Sequence, residues 1–153
     1  MKKLYKFLLT GLLSLPACSD HLNIEKSDSP QGYADSQVVG TWKITGYTSN
    51  KPYDWDGNGS KETDIYSTWS PCEKDNLYQF TPDKTGSFKI NCSTSSSGTW
   101  LIISTKYLVY KPDNQVSETA KLVSMTSVEF KTSEDVTVST GQNLTLTKTW
   151  SRQ

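Results

Sequence analysis

The chain has 153 residues with 16 basic and 16 acidic side chains, so its formal net charge is zero, and its length fits a single domain. It has no long basic run, which excludes nucleic acid as a partner. Its single histidine, His21, lies in a polar N-terminal stretch, which excludes Ser-His-Asp triads, Cys-His pairs and histidine-based zinc sites. We therefore expect no enzyme activity.

Residues 1–17 predict a secretory signal peptide. A short basic head with three lysines precedes the apolar run Phe7 to Leu13, which is too short to cross a bilayer as a helix. A small residue, Ala17, then ends the segment before a cysteine. Loss of this segment removes three of the 16 basic side chains and none of the 16 acidic ones, so the mature protein has a negative net charge.

The end of this segment, Leu15-Pro16-Ala17-Cys18, resembles a bacterial lipobox. The resemblance implies that Cys18 receives a lipid, becomes the new N-terminus and attaches the protein to the membrane of a bacterial envelope. Ser19 after the cysteine fits delivery to the outer membrane, with the periplasmic and outward faces both left open. An ordinary signal peptide or an N-terminal anchor is the alternative.

The stretch from Ser19 to about Gln37 predicts a flexible tether. It is polar, contains Pro30 and Gly32, and shows no apolar periodicity. We place the lipidated cysteine and its tether at 18–37 and the folded domain at 38–153.

From residue 38 onward, short runs of period two predict an all-β domain. Trp42 and Ile44 share one face of the first run, and the last run reaches almost to the C-terminus, which predicts that the first and last strands pair. Seven to nine short strands separated by turns predict a β-barrel or a β-sandwich. The predicted strands are 38–47, 77–80, 87–92, 99–103, 107–110, 119–125 with 127–131 as one bent strand, 136–138 and 144–150.

Two cysteines remain if Cys18 carries a lipid. An even pair in an exported chain predicts a disulfide between Cys72 and Cys92. The bond would close a loop of about 20 residues and add about 3 kcal/mol of stability. Two free buried thiols are the alternative.

The tripeptide Gly-Thr-Trp occurs twice and marks a family resemblance. The first copy, with Gly40 and Trp42, opens the first strand, and the second holds Gly98 and Trp100. An acidic loop follows the first strand, and the two cysteines come after it. This order of motifs resembles that of the lipocalin-like domains of bacterial lipoproteins, and the resemblance covers residues 37–152. The resemblance implies an antiparallel up-and-down β-barrel of about eight strands with a tryptophan across its closed end, and it supplies no catalytic residues.

The segment 54–64 is dense in oxygen-bearing side chains. It follows the spacing Asp-x-Asp-x-Asn-Gly of an EF-hand-type calcium loop, and carboxylates this close repel one another without a cation. The twelfth position is Ile65, where a bidentate Glu normally sits, so the loop is either a variant Ca²⁺ site or a polar surface turn. The predicted calcium ligands are Asp54, Asp56, Asn58, Ser60 through its carbonyl, Glu62 and Asp64.

The leading hypothesis from these patterns is a monomeric, non-enzymatic binding protein. A lipid-anchored barrel would hold a small, partly apolar molecule at its open end or in a cavity, in a site whose residues the sequence does not identify. The alternative is a filled barrel that contacts glycan or another envelope protein. Strand order alone does not place the loop and strand-end aromatic residues that could rim the mouth, which are Tyr47, Tyr53, Trp55, Trp69 and Tyr107.

Overall fold

The computed structural model describes residues 32–153. The predicted signal peptide, the lipidated Cys18 and the tether up to residue 31 lie outside the described residues. No helix within 32–153 is long and apolar enough to cross a membrane. The described helices are α1 (Asp35–Val38), α2 (Ile65–Thr68) and α3 (Pro71–Lys74). The described strands are β1 (Gly40–Tyr53), β2 (Glu62–Asp64), β3 (Leu77–Phe80), β4 (Thr85–Lys89), β5 (Ser96–Ile103), β6 (Tyr107–Pro112), β7 (Glu118–Met125), β8 (Glu129–Thr137) and β9 (Asn143–Arg152).

Eight of these strands close into an antiparallel up-and-down barrel. Neighbours follow the order β1-β3-β4-β5-β6-β7-β8-β9, and β9 pairs back onto β1, with Ile44 opposite Trp150. The short β2 adds to the far half of β1. The closed ring of hydrogen-bonded strands confirms the predicted barrel and the predicted pairing of first and last strands, and it rules out the sandwich.

Several of the predicted strand ranges differ from the structure, and the separately predicted 127–131 and 136–138 both overlap the single strand β8. Residues 119–131 form two strands rather than one bent strand, because the hydroxyl of Thr126 accepts the Glu129 N–H at 3.0 Å and turns the chain between β7 and β8. β4 ends at Lys89 rather than at position 92. Asn91 and Cys92 have φ angles of 53° and 57°, so the backbone there leaves the extended conformation.

The tether ends earlier than the sequence predicts. The Tyr33 N–H donates to the Thr105 carbonyl at 2.8 Å, and α1 follows directly. Val38, which was predicted to open the first strand, lies in α1 and is fully buried. The folded domain therefore extends at least to Gly32. The polar composition of 32–37 concealed this, because α1 buries only one side chain.

An aromatic cluster fills the half of the barrel that α1 covers. Its rings meet edge-on or stacked: Trp42 and Phe130 lie 4.6 Å apart, and Trp150 lies 4.8 Å from Tyr78 and 5.2 Å from Phe130. Such ring pairs stabilise a core beyond the area they bury. We call this half the closed half. The aromatic cluster comprises Trp42, Tyr78, Phe80, Phe88, Trp100, Tyr110, Phe130 and Trp150.

A smaller apolar cluster lies at the other end of the barrel, which we call the mouth half. There α2 packs Ile65 onto Leu144 and Leu146 of β9. Two caps position this segment. Asp64 accepts the Ser67 N–H at 3.2 Å to start α2, and a reciprocal capping box between Ser70 and Glu73 starts α3. The segment between β1 and β3 therefore covers part of the mouth half.

Candidate functional site

The two Gly-Thr-Trp motifs place their tryptophans in equivalent settings within the closed half. Trp42 and Trp100 are at most 1% exposed. The indole N–H of Trp42 donates to the Val38 carbonyl at 2.7 Å, and that of Trp100 donates to the Thr81 carbonyl at 3.0 Å. Each tryptophan is therefore a core residue with a satisfied donor.

The guanidinium of Arg152, on the last strand, contacts the segment before β1 and the turn between β7 and β8. It lies 4.3 Å from the Trp42 ring and donates to the carbonyls of Val39 at 2.9 Å and Ser127 at 2.7 Å. Gly40 makes room for the guanidinium, because a Cβ at this position would collide with it. The φ angle of Gly40, +142°, also favours glycine there. At the second motif, Gly98 approaches the Lys111 carbonyl so closely that no Cβ would fit.

A polar layer faces the barrel interior in the mouth half. Lys148 Nζ lies 3.1 Å from Glu118 Oε2 and 3.6 Å from Glu134 Oε1. The Tyr110 hydroxyl donates to Glu118 Oε2, and the Tyr47 hydroxyl donates to Glu134 Oε1 at 3.2 Å. The Lys148 side chain is 14% exposed, whereas that of Glu118 is 49% exposed. The layer, which consists of these five residues, thus reaches from the aromatic cluster to solvent.

The tyrosines of this region are held protonated. Burial, followed by the charge of Glu134, raises the pKa of Tyr47. Burial, followed by the charge of Glu118, raises the pKa of Tyr110 and of Tyr78. The hydroxyls of Tyr47 and Tyr110 therefore remain hydrogen-bond donors to Glu134 and Glu118.

Sequence reasoning missed the polar layer, although a signal was present. Lys148 occupies the inward position between Leu146 and Trp150, and Glu134 occupies the inward position after Phe130 and Thr132. A charge at the inward position of an alternating strand requires partners or water inside the barrel. Only the barrel register shows that three such positions meet.

The acidic loop brings three of the predicted calcium ligands together. Carboxylate oxygens of Asp54, Asp56 and Glu62 lie within 4.8 Å of one another. The Gly59 N–H donates to Asp54 Oδ2 at 3.0 Å, and the Asn58 N–H donates to Asp56 Oδ1 at 3.1 Å. The other oxygen of Asp54, Oδ1, is buried and has no hydrogen-bond partner within the described part of the chain.

The remaining predicted ligands lie outside this group. Asp64 accepts the Ser67 N–H as the cap of α2, because the chain turns into a helix there instead of continuing the calcium loop. The Asn58 side-chain oxygen accepts the Ser60 N–H at 2.7 Å, and its amide nitrogen donates to Asp56 at 2.9 Å. Glu62, rather than Asp64, is thus the acidic residue that lies beside Asp54 and Asp56.

The predicted disulfide is present. Cys72 and Cys92 are joined with their Cα atoms 5.0 Å apart, which is an ordinary span for this bond. The bond ties α3, just before β3, to the turn that follows β4. It therefore fixes both ends of the β3–β4 hairpin at the mouth end.

Four of the five candidate rim aromatics lie in the mouth half. Tyr47, Tyr53, Trp55 and Trp69 pack around the smaller apolar cluster. Tyr107 does not belong with them. It begins β6 at the α1 end of the barrel and is 41% exposed on the outer surface. The sequence placed Tyr107 at the start of a strand but did not indicate at which end of the barrel that strand begins.

Comparisons with known proteins agree with this architecture. The model of the lipocalin-like domain matches residues 38–149. No match to a curated protein sequence was found. A solved structure of bovine odorant-binding protein with a selenium-containing odorant is 14% identical, with a TM-score of 0.42, and the match covers 80% of this chain and 74% of that one. A deswapped triple mutant of the bovine protein is 15% identical, with a TM-score of 0.40 and coverages of 76% and 74%.

The two bovine structures are too distant to support a conclusion about this chain. The match to the lipocalin-like domain, in contrast, spans most of the chain and nearly the whole barrel. The chain therefore belongs to the lipocalin-like domain family.

Proposed function

We propose that this protein is a lipid-anchored protein of the bacterial envelope whose barrel binds a small, partly apolar molecule without transforming it. Membership of the lipocalin-like family supports a binding role. The Leu15-to-Cys18 motif supports an anchor through a lipid on Cys18, and Ser19 supports an outer-membrane location. The site for the molecule is the mouth half.

The polar layer is the observation on which the binding site rests. Its groups face inward and keep access to solvent through Glu118, and Lys148 lies on the same strand, β9, as Leu144 and Leu146 of the smaller apolar cluster. Ligand sites of this kind are mostly apolar, with a few polar groups that fix orientation. A molecule with an apolar body and one polar end would exchange hydrogen bonds with Lys148 or Tyr47 and place its apolar body among the partly buried aromatic residues of the mouth half, such as Trp69.

Native mass spectrometry of the protein purified from its own host tests this role. We expect a co-purifying small molecule on the wild type and its loss from a Lys148→Met, Glu134→Gln double variant. Lys131→Met is the matched control, because Lys131 faces outward, where its ammonium lies 3.9 Å from the Glu129 carboxylate. A wild type that is bare from its host, or a double variant that retains the same adduct, would contradict the proposed site.

The second candidate is an interaction module that contacts glycan or another envelope protein. The aromatic cluster favours it, because the closed half is filled by its own side chains and offers no room for a ligand. Crosslinking in intact cells distinguishes the two functions. A bare wild type together with one reproducible crosslinked envelope protein would replace the first proposal by the second.

The acidic loop carries a proposal of its own, a structural Ca²⁺ ion. Asp54, Asp56 and Glu62 supply hard oxygen ligands, and the buried, unpartnered Oδ1 of Asp54 favours a cation there. Because the bidentate Glu at the twelfth position is missing, we expect a dissociation constant on the order of 10⁻⁴–10⁻³ M, as in extracellular modules. The ion would stiffen the connection that leads from β1 to α2 over the mouth half.

Thermal melts with calcium and with chelator test this site. At free calcium ten times the dissociation constant, binding should stabilise the fold by about 1.4 kcal/mol. Asp54→Ala with Asp56→Ala should erase the difference, whereas Asp113→Ala, in the exposed turn after β6, should leave it. If the wild type melts at the same temperature in chelator and at a free calcium concentration several times that dissociation constant, the loop is only a polar turn.

The anchor is tested by Cys18→Ser. The variant should lose the lipid mass and accumulate as precursor or in the soluble fraction. If it still carries a lipid and fractionates with membranes like the wild type, the lipobox interpretation fails.

A further inference from the structure

Exposed apolar side chains gather on one side of the barrel near α1. Ile103 of β5 and Tyr107 of β6 are cross-strand partners, 45% and 41% exposed. Leu101 lies two positions before Ile103 and is 43% exposed, and Val123 of β7 is 51% exposed. We call these four residues the apolar face. Contiguous exposed apolar side chains on a monomer mark a binding surface.

Two lysines lie beside the apolar face. Lys106 lies in the β5–β6 turn, and Lys121 is the cross-strand partner of Tyr107. Between residues 96 and 125 only two carboxylates occur, Asp113 and Glu118. Glu118 points inward to Lys148, and Asp113 lies in the turn at the mouth end of β6. The charges that β5 to β7 present beside the face are therefore lysines, whereas Glu134 and Asp135 of β8 line a surface depression together with Tyr107 and Lys121.

The chain enters the domain beside this face. Gly32 packs so closely on Thr105 that a Cβ would not fit, and the Tyr33 N–H donates to the Thr105 carbonyl at 2.8 Å. Thr105 lies in the turn between Ile103 and Tyr107. Cys18 lies 14 positions before Gly32, and the tether that the composition predicts for this stretch would have a typical reach of about 20 Å. A lipid on Cys18 would thus keep the apolar face close to the headgroups.

We propose that the apolar face docks on the anionic headgroup surface of the membrane to which the lipid on Cys18 attaches the protein. The inference rests on the proposed anchor. Apolar side chains with an aromatic residue enter the interfacial region, and lysines beside them meet negative headgroups. The closed half then lies toward the bilayer and the mouth half, with its polar layer, opens away from it.

The cysteine content makes a direct test available. Cys72 and Cys92 are bonded to each other, and a lipidated Cys18 has no free thiol, so a single introduced cysteine takes one polarity-sensitive fluorophore. Ile103→Cys reports on the apolar face. Val116→Cys is the matched control, since Val116 is 88% exposed in the turn at the mouth end of β6 and β7. The full lipidated protein is reconstituted in phosphatidylglycerol–phosphatidylethanolamine vesicles, with and without brominated lipid.

We expect the fluorophore at position 103 to shift to the blue and to be quenched by brominated lipid, while the fluorophore at 116 behaves as in water. Lys106→Gln and Lys121→Gln should each weaken docking by about fivefold in these vesicles, because each lysine near an anionic surface attracts it by roughly that factor. Vesicles of phosphatidylcholine alone should show weaker quenching at 103.

Two results overturn the proposal and leave the anchor intact. One is a lipidated protein whose labels at 103 and 116 respond alike to brominated lipid. The other is a blue shift at 103 that occurs without vesicles and grows with protein concentration, which would assign the face to a second copy of the chain. If mass spectrometry finds no lipid on the protein, the proposed anchor is wrong, and this result is independent of the vesicle measurements.

Discussion

The two halves of the barrel use the same alternating strands for opposite purposes. In the closed half the inward positions are mostly apolar, with Thr132 as a buried polar exception, and rings such as Trp42, Phe130 and Trp150 fill the interior. In the mouth half the same strands place Glu134 and Lys148 inward, where their charges retain partial access to solvent. The closed half therefore supplies most of the stability, and the mouth half has the chemistry for recognition.

The largest difference between the halves should be in how much stability each loses when a large side chain is replaced by alanine. Trp150→Ala removes a fully buried ring whose indole N–H donates to Thr132 at 3.0 Å, and it should lower the free energy of unfolding by about 3–5 kcal/mol. Trp69→Ala, at a half-buried ring of the mouth half, should have a clearly smaller effect. Urea denaturation of both variants measures this. Equal losses would show that the mouth half is as tightly packed as the closed half.

The disulfide should be the main source of stability that is specific to the mouth end. Replacing Cys72 and Cys92 together by alanine opens a loop of sequence separation 20 and should lower stability by about 3 kcal/mol. Denaturation of the double variant checks the magnitude. Alkylation of the wild type without reductant checks the bond, and two modified thiols would contradict it.

The polar layer should contribute little to folding despite its central place. Lys148→Met leaves two carboxylates without their shared cation, but Glu118 is 49% and Glu134 33% exposed, so water screens them. We expect a loss of about 1 kcal/mol and, for Lys131→Met on the outer surface, a loss near zero. A loss several times larger for Lys148→Met would make the layer a structural ion network rather than a binding site.

Across the neutral range the tyrosines should not make the stability depend on pH. Their pKa values are raised in the folded state, so the contribution of the protonated phenols is complete below the unfolded value of about 10 and is lost as pH rises above it. Denaturation at a series of pH values should show the decline only above about pH 10. Tyr47→Phe with Tyr110→Phe should reduce that decline, and an unchanged decline would assign it to other groups.

Sequence periodicity was sufficient where the strands are long and one face is apolar. The alternation around Trp42 and Ile44 and the one ending at Trp150 predicted both β1 and β9 and the pairing that closes the barrel. It failed where single residues decide the backbone. A capping oxygen on Asp64 starts α2, and left-handed φ angles at Asn91 and Cys92 end β4 early, neither of which alters hydrophobic spacing.

The functional residues were harder to predict than the fold because they meet only in three dimensions. Asp54 and Asp56 are neighbours in sequence, so the acidic loop was visible as a pattern, although the pattern did not show that Asp64 caps α2. Glu118, Glu134 and Lys148 come from three strands, and each is an isolated charge in its own strand. Their meeting depends on the register of β7, β8 and β9, which alternation alone does not determine.

Arg152 contacts the start of the barrel domain from its last strand. It reaches Val39 across 113 positions, and β9, which carries it, is synthesised after the seven strands that precede it in the barrel. Until then one edge of β1 has no partner and the ring of Trp42 lacks its covering cation. Contacts across such a separation form slowly, so closure of the barrel comes late. Late closure would suit the export predicted by residues 1–17, because a chain whose barrel is not yet closed can still thread through a translocation pore.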